Sequence, residues 1–270
     1  MAIDDNQSSR EAVLARVRKA LGRDGPDDEA RAAAHAYLAA RAQGPRPALP
    51  ADLAQRFLDR ARDMSSTAER VATLDDVPPA VVRYLRTTET DSAPGAIAGV
   101  CWPEFATLGW NQAGVHVESR PTVGHDALGI TGCFCAIGET GTLVMVTGTP
   151  TPSATFLLPE THIAIVCADQ IVPAMEDAFA RIRVELGELP RAVNLVSGPS
   201  RTGDIEQTIV LGAHGPRRLH IVLVDKQVRR VWPCFSPLSP QTRGPPFRLQ
   251  SDRTGRRLCT SDRNAGRAAT

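Results

Sequence analysis

The chain has 270 residues, of which 42% are hydrophobic but only 4% aromatic, so its core must be built from Ala, Val, Leu and Ile. That length fits one large domain with an appended arm or two small domains, and an aliphatic core suits an α/β fold with buried strands. The net charge of +1 divides unevenly: residues 225–270 carry ten Lys and Arg against three Asp, an excess of +7, leaving −6 on residues 1–224, which argues against a nucleic-acid surface on the folded part.

The chain opens on Met1–Ser9, polar and acidic, without the apolar segment of a signal peptide. No apolar run approaches the roughly 20 residues of a membrane helix, so a cytoplasmic location is expected. Over residues 10–21, Val13, Leu14, Val17 and Leu21 recur at helical spacing, with Ser8 or Ser9 as cap and Gly22 as stop. An Ala-rich helix is expected over Glu29–Gln43, then a stiff linker, Gly44-Pro45-Arg46-Pro47-Ala48-Leu49-Pro50. A third helix, about Asp52–Asp63, places Leu53, Phe57, Leu58 and Ala61 on one face. Residues 1–65 thus read as a helical arm, serving packing or self-association into a homo-oligomer.

After Val71 the pattern changes. Apolar runs recur at Ile97–Cys101, Gly114–Glu118, Leu143–Thr147, His162–Cys167, Val193–Val196 and Leu219–Val224, with an amphipathic helix expected over Ile171–Leu186. Such alternation predicts an α/β domain over residues 66–224: a mainly parallel sheet with helices on both faces. In these sheets ligands bind beyond the carboxyl ends of the strands. Residues 225–270 hold five prolines and no apolar periodicity, and read as a disordered basic tail.

Six cysteines are scattered at 101, 133, 135, 167, 234 and 259, and only Cys133 and Cys135 are close. Neither a zinc site nor an iron–sulfur cluster fits that spacing, so the thiols read as small apolar filler. No G-x-G-x-x-G follows a strand and no C-x-x-C occurs, so neither a metal nor a cofactor is expected on this chain.

Polar, Gly-rich segments carry the candidate chemistry. Glu139 is the only charged side chain between Ala127 and Pro159. A carboxylate in apolar surroundings must be bonded, paired or put to acid–base or nucleophilic use, and Gly138 and Gly141 would let a ligand approach. The plainer alternative is a turn-capping carboxylate. Thr140 and Gly141 complete this group. The segment Gly198–Glu206 supplies hydroxyls on Ser200 and Thr202, a forked donor on Arg201, and carboxylates on Asp204 and Glu206. It suits an anion, especially if a helix begins near Thr202 or Asp204, although a structural turn explains it nearly as well. In Gly212-Ala213-His214-Gly215-Pro216, His214 is placed to move a proton near neutral pH. A weaker group, Leu158–His162, could lend Glu160 or His162, but a strand-entry turn is the simpler reading.

Read in order, G-I-T-x(7)-E-T-G-T from Gly129, L-L-P-E-T-H-I from Leu157, G-P-S-R-T-x-D-I-E from Gly198 and G-x-H-G-P from Gly212 resemble the LUD-domain family. The likeness extends from about Arg10 to Val224, and the residues beyond depart from the family's usual ending. The resemblance implies a fold similar to ribose-phosphate isomerases, glucosamine-phosphate deaminases and CoA transferases. It also implies a role in using L-lactate as a carbon source, by oxidation to pyruvate beside two partner proteins, one carrying iron–sulfur clusters. Two readings stay open. Either the chain is a catalytic subunit, with Arg201 holding a small carboxylate while Glu139 or His214 moves a proton, or it is a non-catalytic subunit for substrate binding or assembly.

Overall fold

The computed structural model describes residues 3–22, 27–88, 98–187, 189–205 and 208–225; Glu206 and the tail from 226 lie outside them. The chain divides into two units, Met1–Ala48 and Leu49–Thr270. The first holds α1 (Ile3–Ala20) and α2 (Asp28–Ala40), the latter capped by the Asp27 carboxylate accepting from Ala30 N–H at 2.8 Å. Val13, Val17 and Leu21 on α1 and Tyr37 and Leu38 on α2 are all exposed.

The third helix, α3 (Leu53–Asp63), falls in the second unit and contributes to its core. Phe57, Leu58 and Ala61 are at most 1% exposed. Burying a Phe or Leu side chain contributes about 1.5–3 kcal/mol, which ties α3 to the domain more firmly than to the two exposed helices before it. Ser65, at φ 67°, turns the chain into β1 (Thr67–Val71). Thr73 and Asp76 then cap the short 3-10 turn Leu74–Asp76 that leads into α4 (Val77–Thr87), whose Pro78 and Pro79 occupy the first turn, where a missing N–H costs nothing.

The remaining elements are β2 (Ala98–Cys101), α5 (Trp110–Ala113), β3 (His116–Glu118), β4 (Leu128–Thr131), β5 (Cys135–Ile137), β6 (Thr142–Val146), α6 (Ala154–Leu157), β7 (Thr161–Cys167), β8 (Ile171–Val172), α7 (Met175–Leu186), β9 (Val193–Val196), β10 (Arg201–Ile205), β11 (Thr208–Leu211) and β12 (Arg218–Val224). Six strands form one sheet in the order β1-β12-β7-β4-β2-β3, every neighbouring pair parallel. All seven residues of β7 are buried, as a central strand covered on both faces requires. His220 of β12 stacks on Tyr84 of α4 with ring centroids 4.0 Å apart, while His162 of β7, in register with Leu219, faces Phe156 of α6. Neighbouring residues of a strand point to opposite faces, so α4 and α6 cover the two sides. The expected α/β architecture, mainly parallel with helices on both faces, is present.

A second sheet, β8-β5-β6-β9, is built on the antiparallel pair β5–β6. Its residues alternate between two cores. Ala136, Leu143 and Met145 join the main core, whereas Cys135, Ile137, Val144 and Val146 pack with Ala178 and Ile182 of α7. That sandwiching explains why β6 is apolar at nearly every position.

Candidate functional site

Much of the first Gly-rich segment is buried strand. Residues 131–138 are all buried, and only Glu139 and Thr140, in the β5–β6 turn, are half-exposed. The turn closes through Gly141 N–H to the Ile137 carbonyl at 2.9 Å, and Glu139 N–H donates to the Pro173 carbonyl at 3.0 Å. The glycines serve a helix here. A Cβ on Gly141, at φ +70°, would lie 2.4 Å from Ala61 N, and one on Gly198, at φ +81°, would lie 2.1 Å from the Met64 carbonyl oxygen. The space that the sequence suggested for ligand approach is therefore filled by the backbone at the carboxyl end of α3.

The segment after Gly198 also differs from expectation. No helix begins near Thr202 or Asp204; Arg201–Ile205 is β10, paired antiparallel with β11 and irregular between Thr202 and Ile205. The β-branched residues Thr202, Ile205, Thr208, Ile209 and Val210 favour this hairpin. Arg201 is exposed, Thr202 is buried and Asp204 lies in β10, its side chain outside the described residues.

Hydrogen bonds join the segments. Thr140 Oγ1 meets Thr142 Oγ1 at 2.7 Å, and Thr142 Oγ1 meets Ser197 Oγ at 2.6 Å, linking the β5–β6 turn to the end of β9. Ser200 links the hairpin to the turn before β12: its N–H donates to the Pro216 carbonyl at 2.9 Å, its carbonyl accepts from Gly212 N–H at 3.0 Å, and its Oγ accepts from His214 N–H at 3.4 Å. Arg201 and His214 are thus exposed on either side of Ser200. Among the described residues, no hydrogen bond or ion pair joins Glu139 to Arg201 or His214. The segment holding His214 precedes β12, so it lies at the amino end of the main sheet.

Of the weaker group, Glu160 pairs with Arg218 at 3.1 Å, and His162 is buried with Nε2 2.8 Å from Thr131 Oγ1. Burial pushes the His162 imidazole down to about 3, so it packs the interior as a neutral ring. The described cysteines are all buried, and burial pushes the Cys101 and Cys135 thiols up to about 11 and about 12. Among the described residues, no three His, Cys, Asp or Glu side chains converge as metal ligands, and no helix is long and apolar enough to cross a membrane.

Sequence reasoning overlooked a second feature, a cleft of about 100 Å³ beyond the carboxyl ends of β2 and β3. Its signal was the pair Pro150 and Pro152 beside a buried Trp102. At its rim Arg120 holds Asp126 through two bonds, Nη1 to Oδ2 at 3.0 Å and Nη2 to Oδ1 at 2.7 Å. That guanidinium keeps the Asp126 carboxyl down at about 2.

A parallel main sheet, a sandwiched second sheet and a hydrogen-bonded group of polar turns define an α/β domain whose polar residues are carried on its connections. The model of the LUD domain matches residues 109–224. Lactate utilization protein C of Deinococcus radiodurans is 31% identical over 187 residues, covering 67% of this chain and 83% of that protein. The chain belongs to the LUD-domain family. Lactate utilization protein C of Bacillus licheniformis is 33% identical over 128 residues, 46% of this chain and 53% of its own length. Lactate utilization protein C 1 of Bacillus mycoides is 43% identical over 103 residues, 37% and 44% of the two chains. The match thus spans about half the length of these two relatives. A solved structure of a DUF162 family protein from Deinococcus radiodurans aligns with a TM-score of 0.47 at 23% identity, covering 66% of this chain and 99% of that one.

Proposed function

We propose that this chain serves lactate utilisation, as a subunit of a system that oxidises L-lactate to pyruvate with an iron–sulfur partner protein. The names of its relatives support the pathway. The observation that supports the site is the Ser200 junction, which bonds the start of β10, where Arg201 lies, to the turn carrying His214. Arg201 is a forked donor suited to a small carboxylate, and it has no ion-pair partner among the described residues. His214 is exposed, with an imidazole that can accept a proton from a bound substrate. Conversion of lactate to pyruvate releases two electrons and two protons; the electrons pass to the iron–sulfur partner, one proton passes to His214 and the other to water. Glu139, in the β5–β6 turn, is the other candidate for moving a proton.

A second reading is a non-catalytic binding or assembly subunit. The seating of α3 against Gly141 and Gly198 favours it, because packing alone then accounts for those motif glycines. Arg201→Ala, His214→Asn and Glu139→Gln, each assayed for lactate oxidation in the reconstituted system, separate the readings. Loss with Arg201→Ala and His214→Asn, with assembly intact, supports the catalytic site. Full turnover in all three variants sinks it, and loss of assembly with Arg201→Ala points to the binding subunit.

A further inference from the structure

The cleft lies beyond the carboxyl ends of β2 and β3, the two outermost strands on one side of the main sheet. Open α/β sheets bind ligands beyond the carboxyl ends of their strands. Cys101 and Trp102 follow β2, Ser119 and Arg120 follow β3, and Pro150 and Pro152 close the third side. The walls are fixed: the Trp102 ring is held by Nε1 donating to the Pro152 carbonyl at 3.4 Å and by an edge contact on Phe156 at 6.3 Å. Its volume of about 100 Å³ is below that of pockets for drug-sized ligands and admits one small ring at most.

Charge decides the ligand class. Arg120 is the only cationic side chain lining the cleft. Its Nε donates to Glu118 at 2.5 Å, its Nη1 to Asp126 at 3.0 Å and to the Pro121 carbonyl at 3.2 Å, and its Nη2 to Asp126 at 2.7 Å. Four of five N–H groups are therefore used, leaving one on Nη2 without a partner among the described residues. A ligand carboxylate would need a two-pronged grip that Arg120 no longer has, and would meet two carboxylates against one guanidinium.

We propose that this cleft binds a small, flat, uncharged ring bearing a carbonyl or amide oxygen, and that it rejects the matching carboxylate. The prolines and Trp102 cover the ring, and the remaining Nη2 N–H donates to the oxygen. This site is separate from the Arg201–His214 group and does not depend on that assignment.

Nicotinamide and nicotinate are a matched pair of probes, differing in amide against carboxylate. Saturation-transfer NMR on the full chain should show nicotinamide bound at millimolar concentration and nicotinate about tenfold weaker or more, a difference of about 1.4 kcal/mol. L-Lactate should leave the nicotinamide signal unchanged. Ser119→Trp and, as a second variant, Thr149→Trp should each fill the cleft and abolish that signal. The proposal is overturned if nicotinamide does not bind, if nicotinate binds as well, if lactate displaces nicotinamide, or if binding survives in variants that melt like the parent. The probe pair on the unmodified chain decides the matter even if both variants misfold.

Discussion

Gly141→Ala tests whether the motif glycines of the β5–β6 turn exist to seat α3. Gly141 lies at φ +70°, where an L-residue costs about 1–2 kcal/mol. Its new Cβ would also meet Ala61 N at 2.4 Å, Arg60 C at 2.6 Å and Ala61 Cα at 2.8 Å. Those are backbone atoms of a helix anchored by Phe57 and Leu58, so they cannot swing aside as a side-chain tip would. Overpacking of this kind costs about 1–3 kcal/mol. The two effects together give about 2–5 kcal/mol, or roughly 10 °C in melting temperature for a domain of about 150–250 residues. Gly203→Ala is the control, since a Cβ there has nothing within 4 Å. Melting followed by circular dichroism should show Gly141→Ala far below the parent and Gly203→Ala close to it. A Gly141→Ala protein melting within about 2 °C of the parent would refute the seating of α3.

Three further outcomes follow from the same geometry. His162 and His220 are buried, and burial pushes them down to about 3 and about 4. The unfolded chain binds their protons first, so their contribution is complete above about pH 6.5 and shrinks as pH falls toward 4, by about 1.4 kcal/mol per pH unit for each ring. Urea unfolding at pH 7 and pH 5 should show that decline, and equal stability at the two values would contradict it. For Asp126 the opposite charge is at stake: its carboxyl, held at about 2 by Arg120, stabilises the fold above about pH 4 and ceases to as pH falls through 2. Asp126→Asn should therefore melt well below the parent at pH 6 and converge with it near pH 2; a gap independent of pH would exclude the ion pair as its cause. Thr142→Val removes the middle hydroxyl of the Thr140–Thr142–Ser197 row, in which Thr142 is buried. Loss of about 1–3 kcal/mol is expected on urea unfolding, and no loss would mean the row does not couple the two turns.

The strands and helices that the sequence revealed are those with uninterrupted periodicity. His162–Cys167 and Leu219–Val224 lie within β7 and β12, the sheet's two longest strands, both almost wholly buried, and continuous apolar runs are what such strands need. Two of the strands it hid are ones where packing demanded glycine. β4 contains Gly129 because a Cβ there would lie 1.9 Å from the Thr155 carbonyl oxygen at α6. β5 sits between Gly132 and Gly138, so a buried strand resembles a loop in composition. α4 was masked by Pro78 and Pro79, which only its capped first turn can accommodate. Ile171 and Val172 have the apolar character of a helix start, yet they pair with Ala136 and Ile137 as β8, and α7 begins only at Met175, beyond Pro173.

The candidate site was readable in part for the same reason. Sequence identifies which residue types stand together along the chain, and Ser200 does meet the segment Gly212–Pro216, because the two need each other's backbone bonds. It does not reveal what a glycine's empty space is for. Gly141 and Gly198 are spaced like ligand-loop glycines, but their neighbours are Ala61 and Met64, supplied by a helix that the sequence assigned to a separate arm. With α3 in that space, Glu139 stays in the β5–β6 turn with its N–H on the Pro173 carbonyl. Packing against α3 therefore accounts for both motif glycines, since the backbone of that helix and its cap fills the space each leaves.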